Sequence, residues 1–248
     1  IYEQYPFHVL MDDDSDERTD AFHFGSYADW QQTLKAIHDF AGNTRPSSQK
    51  KMKTYYIVMS RDVTDSYSGI HDNRAGKNFG KTVLDLNGHT LNLISSGGNT
   101  TFLAFYVNSN GTYPRFDIIN GDINIGEKVS FIVGQGGSSA QGQTGTINLR
   151  DLNITYMPSE TSASFYPLIG FYDGSGTGSN YNITIDNCNI DYSKADGAYT
   201  VLNLADKLNN SNNNITMIGG SIKGTTAANT TLFATNGVYD KITFAKDK

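Results

Sequence analysis

The sequence predicts an all-β fold, a right-handed single-stranded parallel β-helix, and three observations predict it. Five segments fit one ten-residue frame: Leu84–Leu93, Phe116–Ile125, Ile147–Tyr156, Ile183–Tyr192 and Ile215–Gly224, and a sixth opens at Ile242. The first, third and eighth positions are apolar throughout, as in Phe116/Ile118/Ile123 and Ile183/Ile185/Ile190. The fifth is always Gly, Asn or Asp (Gly88, Asn120, Asp151, Asn187, Gly219), the residues that best tolerate a left-handed backbone. Each segment therefore reads as a short strand, a tight bend and a second short strand. The anchors recur 32, 31, 36, 32 and 27 residues apart, the signature of a solenoid.

The elements follow in chain order. Residues 1–25 form a lead-in with the acidic run Asp12-Asp13-Asp14-Ser15-Asp16-Glu17. A helix is expected at about 27–41. Ser26 is its N-cap, Asp29 completes an acidic capping box, and Gly42 stops it. Trp30, Leu34, Ile37 and Ala41 fall on one helical face. A polar linker runs from Asn43 to Lys53, and Tyr55–Met59 is the first clear strand. Thr64–Gly80 reads as a long insertion carrying Tyr67, His71, Asp72, Asn73 and Arg74.

Each frame is followed by a second apolar run: Phe102–Val107, Val129–Val133, Phe165–Phe171, Tyr199–Leu204 and Leu232–Ala234. Three short strands per coil imply about six coils in three parallel sheets around a narrow core. Leu84 would stack on Phe116 and Ile147, Leu86 on Ile118 and Leu149, and Leu91 on Ile123 and Ile154. The helix would cover the open end of that core. The chain divides into a lead-in and capping helix over 1–54 and a β-helix over 55–248, together one structural domain. Ile242-Thr-Phe244 opens another repeat, so further protein or a self-contact is expected at that end.

Composition narrows the function. The chain has 248 residues, 18% of them charged, and a net charge of −6, with no basic stripe of the kind a nucleic-acid binder carries. A single cysteine, Cys188, excludes an internal disulfide and a multi-cysteine metal site. No apolar run approaches the roughly 18 residues needed to span a membrane.

The helix, then "YYIVMSRDVT" (55–64), then "TVLDLNGHTLNL" (82–93) resembles the opening of bacterial right-handed parallel β-helix proteins of the pectate-lyase-like superfamily. The stretch Leu84–Leu91 is the most specific piece of the likeness, and the looser frame covers about two-thirds of the chain. The resemblance implies an extracellular or cell-surface protein and does not select a reaction, since relatives include non-enzymatic surface segments, polysaccharide lyases, glycoside hydrolases and phage tail spikes.

In the enzymes of that superfamily the substrate groove follows one sheet, which corresponds here to the second apolar runs. Phe102, Tyr106, Ile132, Leu168, Tyr172, Tyr199, Val201 and Asn203 are the expected outward positions. No Arg or Lys base and no register-matched carboxylate pair is found on these runs; Asp173 and Asp206 come nearest. Tyr106, Tyr172 and Tyr199, flanked by Asn108, Asp173, Asn203 and Asp206, suit sugar rings, because a phenol joins an apolar face to a hydroxyl. Asp12, Asp14 and Asp16 are the calcium candidates, though without the Gly and Glu of a complete calcium loop; no other cofactor is expected. The expected function is a non-catalytic module binding polysaccharide or cell-surface glycan, or serving adhesion. A β-helix polysaccharide lyase or glycoside hydrolase and a purely structural spacer are the alternatives.

Overall fold

Ile57, Leu84, Ile118, Leu149, Ile185 and Met217 lie side by side on successive strands, each opposite the next in parallel register. Tyr55, Thr82, Phe116, Ile147, Ile183 and Ile215 form a second such column two residues earlier. All these side chains are buried. β-Branched and aromatic residues at alternate positions favour strands with one face inward, and stacking identical strands makes each face continuous. The result, in a computed structural model, is an all-β parallel β-solenoid of about four turns, with 8% helix. The structure describes residues 4–12, 21–43, 53–71, 80–107, 115–136, 144–157, 166–171, 180–195, 199–204, 212–224, 230–235 and 241–246.

At the start, β1 (Phe7–Asp12) lies antiparallel between β2 (Phe22–Tyr27) and β3 (Thr54–Met59), with α1 (Trp30–Asn43) between them in sequence. The first parallel ladder continues from β3 through β5 (Lys81–Asp85), β7 (Arg115–Ile125), β9 (Thr144–Tyr156), β11 (Asn180–Asp186), β14 (Asn214–Ile218) and β17 (Lys241–Ala245). A second joins β4 (Val63–Ile70), the start of β6 (Thr90–Val107), the ends of β7 and β9, β12 (Asn189–Asp191) and β15 (Ser221–Lys223). A third joins the rest of β6 to β8 (Val129–Gly136), β10 (Ile169–Phe171), β13 (Tyr199–Leu204) and β16 (Thr230–Thr235).

The bends between first and second ladders fall where the sequence places them. Gly88, Asn120, Asp151, Asn187 and Gly219 all have positive φ, at 78°, 61°, 54°, 50° and 56°. One register differs from expectation. Leu84 faces Ile118 rather than Phe116, and Phe116 faces Thr82. The reason is a longer first bend. His89 N–H donates to the Leu86 carbonyl at 2.8 Å, and Asn87 joins Gly88 at positive φ (53°), which makes residues 86–89 a type I′ turn. The added residues are absorbed before Leu91, which faces Ile123 as expected. Gly121 follows the next bend, where a β-carbon would sit 2.6 Å from the His89 carbonyl oxygen and 2.7 Å from Leu86 Cβ.

The helix begins at Trp30, and its cap is Asp29, not Ser26: Asp29 Oδ1 accepts the Gln32 N–H at 2.7 Å, and Ser26 belongs to β2. Trp30, Leu34 and Ile37 are buried as the helical spacing requires. Trp30 stacks on Phe102 (4.8 Å, 16°), meets Phe116 edge-on and donates its indole N–H to the Phe102 carbonyl at 2.9 Å. The expected insertion at 64–80 is in part the strand β4, followed by a buried His71.

Candidate functional site

The third ladder does not present the face the sequence suggests. Phe102, Ile132, Leu168 and Val201, expected outward, are all buried, and so are their neighbours Leu103, Phe131, Ile169 and Leu202. Both alternations along these strands are apolar, so parity cannot mark the outer side. Leu103, Ile132, Ile169 and Leu202 are in register. Tyr106 lies three positions after this column and Tyr199 three before it, so their backbones are separated by roughly 20 Å along the strand direction. Tyr106 and Tyr199 therefore share no column. Asn203 is half-buried, opposite Gly170 and Ala234. Asn108, Tyr172, Asp173 and Asp206 lie outside the described residues, as do Asp14 and Asp16. Asp12 is buried on β1 opposite Thr54.

What the solenoid does present is a set of polar columns on the first and second ladders. Thr90, Asp122, Asn153, Asn189 and Ser221 are successive register partners. Asn153 Nδ2 donates to Asp122 Oδ1 at 2.8 Å, Asn189 Nδ2 to Asn153 Oδ1 at 3.0 Å, and Ser221 Oγ to Asn189 Oδ1 at 2.9 Å. On the first ladder Arg115, Thr146, Asn182, Asn214 and Lys241 form one outer column, and Asp117, Asn148, Thr184, Thr216 and Thr243 the next. Asn148 Nδ2 donates to Asp117 Oδ1 at 2.7 Å, and Asn214 Nδ2 to Asn182 Oδ1 at 3.1 Å. Asp117 also receives a forked contact from Arg115, with Nη2 at 2.7 Å. At the bends Asn120 donates to Asp85 and Asn187 to Asp151.

The geometry explains the preference for amides. Parallel strands repeat about every 4.8 Å, and a primary amide has an acceptor oxygen and a two-hydrogen donor. A stacked Asn therefore bonds the coil before and the coil after with one oxygen lone pair and one N–H. The column bonds use neither the second N–H nor the second lone pair. Asp191 is anchored similarly: the Ser193 hydroxyl and N–H, with Lys223 at 3.4 Å, hold its carboxyl below the usual carboxylate range. These columns were readable in the sequence as recurring Asn-Ile-Thr tripeptides at 153, 182 and 214, a signal the apolar frame overshadows.

Other reactive groups are committed to packing. His71 sets Nε2 2.7 Å from Asp65 Oδ2 and Nδ1 3.1 Å from Gln31 Oε1, and its ring stacks on Tyr67 at 4.1 Å. Both ring nitrogens are engaged, so the residue ties α1 to β4. Cys188 is buried beside a bend, and burial pushes its thiol up to about 11. Among the described residues no register pair sets two carboxylates opposite each other. No cluster of three or more His, Cys, Asp or Glu is placed to hold a metal among them either.

The fold and surface define the class: a parallel β-solenoid with hydrogen-bonded polar columns on its outer face. Comparison with known proteins finds no matching family model, no matching curated protein and no matching solved structure. No described helix is long and apolar enough to cross a membrane.

Proposed function

We propose that the chain is a non-catalytic β-helix module of an extracellular or cell-surface protein, of the pectate-lyase-like type, and that it binds an extended glycan. The observation that carries this reading is the outer face of the first and second ladders. There, exposed Asn153, Asn182, Asn189 and Asn214 and half-buried Thr184 and Thr216 repeat at the coil spacing. A polymer of hydroxyl-bearing rings matches such a face, because each unit meets a fresh donor and acceptor without any change in the protein's geometry. Six coils in three sheets, with α1 as the cap, complete the proposal. Its support is the first ladder's run from β3 to β17 and the position of Trp30 among Phe7, Phe102 and Phe116.

The test is a glycan-array and polysaccharide-retention screen on the full chain, with and without calcium, scored also for new reducing or unsaturated ends. Retention without cleavage is expected, weakened by Asn182→Lys together with Thr184→Lys. A parallel variant, Tyr106→Ala with Tyr172→Ala and Tyr199→Ala, examines the group formed by Tyr106, Asn108, Tyr172, Asp173, Tyr199, Asn203 and Asp206. Loss only in that variant would transfer the site there. Cleavage products would replace the reading with a lyase or hydrolase. A spacer has one observation in its favour, the mutual bonding of the amides, and silence in both readouts would select it.

A further inference from the structure

The antiparallel β1–β2 pair brings together three polar side chains, His8, His23 and Ser26. His8 and Ser26 are directly opposite in the antiparallel pair, and His8 Nδ1 lies 2.8 Å from Ser26 Oγ. His23 Nε2 lies 3.0 Å from the same oxygen. Residues three apart in a regular strand face opposite sides, so His23 should point away from Ser26. It does not, because the register shifts between Val9, opposite Gly25, and Leu10, opposite His23, leaving Phe24 as an extra residue. That β-bulge turns His23 onto the face of His8 and Ser26, a use typical of bulges at functional positions.

We propose that His8 and His23, with the Ser26 hydroxyl between them, form a binding site for a divalent transition-metal cation of the Zn²⁺ class. Imidazole nitrogen is the donor these ions prefer, and Zn–N bonds of about 2.0–2.1 Å require rings that converge on one point. Both rings already converge on the Ser26 oxygen. Displacing the hydroxyl lets a cation take its place, with water completing the coordination. A further feature fits. The His8 ring has a hydrogen bond with the Tyr5 backbone, the outer contact that fixes a ligating ring's orientation. His8 is half-buried and His23 exposed, so the site is open to solvent.

Titrating the full chain with Zn²⁺ at pH 7.5, by calorimetry and by the imidazole NMR signals, tests this. One saturable equivalent that shifts the His8 and His23 signals together is expected. His23→Gln, at an exposed position that leaves the fold intact by circular dichroism, should weaken binding at least about tenfold, the loss that follows even from disturbing a metal's outer shell. His8→Gln should do the same, while His89→Gln and Cys188→Ser should leave binding unchanged. Absence of saturable binding, unchanged affinity in His23→Gln, or loss in His89→Gln would overturn the proposal.

Discussion

One interior column, followed from β3 to β17, contains two different environments. Ile57, Leu84, Ile118 and Leu149 are 0% exposed and Ile185 is 1%, but Met217 is 7% and Phe244 is 68%. The companion column behaves alike: Ile147, Ile183 and Ile215 are buried, and Ile242 is only partly so. These residues share side-chain chemistry, strand position and inward-facing register. What differs is the number of neighbouring coils. In a solenoid burial is conferred by the coils on either side, so an identical residue is worth several kcal/mol in the middle and little at the last described strand. The opposite region, around α1, is packed with aromatic rings instead: Trp30 lies against Phe7, Phe102 and Phe116.

Substitutions can break this contrast. Trp30→Ala removes the ring that packs against three others and should cost about 3–5 kcal/mol in denaturant unfolding; a loss under 1 kcal/mol would show that the helix does not complete the core. Ile118→Ala should cost about 2–5 kcal/mol, whereas Phe244→Ala in the same column should cost less than about 1 kcal/mol. Equal losses would mean that the end of the column is covered in solution. A pH series sharpens the same comparison at Cys188. Burial pushes its thiol up to about 11 from an ordinary value of 9.0, so the folded chain holds that proton longer. Stability from this group is complete below about pH 9 and declines toward about pH 11, and Cys188→Ala should remove that slope. The smallest effect is at Thr82, whose buried hydroxyl has no hydrogen-bond partner. Thr82→Val should be neutral or stabilising by up to about 1 kcal/mol in thermal melts.

Much of the fold was legible because it repeats. The left-handed fifth position was readable at Gly88, Asn120, Asp151, Asn187 and Gly219 since few residues accept that backbone. The column Leu91, Ile123, Ile154, Ile190 and Ile222 was readable because a β-branched or leucine side chain recurs at one offset. The longer bend at Leu86–His89 was hidden, because Leu86 is a buried core residue and also the first residue of a turn. Asp29 lost the cap to Ser26 in the sequence because both are good capping residues, and only the β1 pairing claims Ser26 for a strand. The candidate site was less legible. The tyrosines were aligned by order along the chain, and order does not fix register when loops vary in length. The outer Asn columns have no apolar periodicity to announce them, and the His8–Ser26–His23 cluster depends on a single extra residue in one strand.

The bonds along the outer columns all run one way. Asn153 gives to Asp122, Asn189 to Asn153, Ser221 to Asn189, Asn214 to Asn182 and Asn148 to Asp117, with the donor always on the later coil. An amide can both give and receive, so a coil bearing Asn can follow another of its kind without limit. A carboxylate only receives, so Asp can begin such a run but cannot continue it. The columns thus carry a grammar position by position: an Asn can be followed by its like along a column, and an Asp followed by its like leaves two acids facing each other. Taken one column at a time, the runs are open at 153, 182 and 189 and closed at 117 and 122.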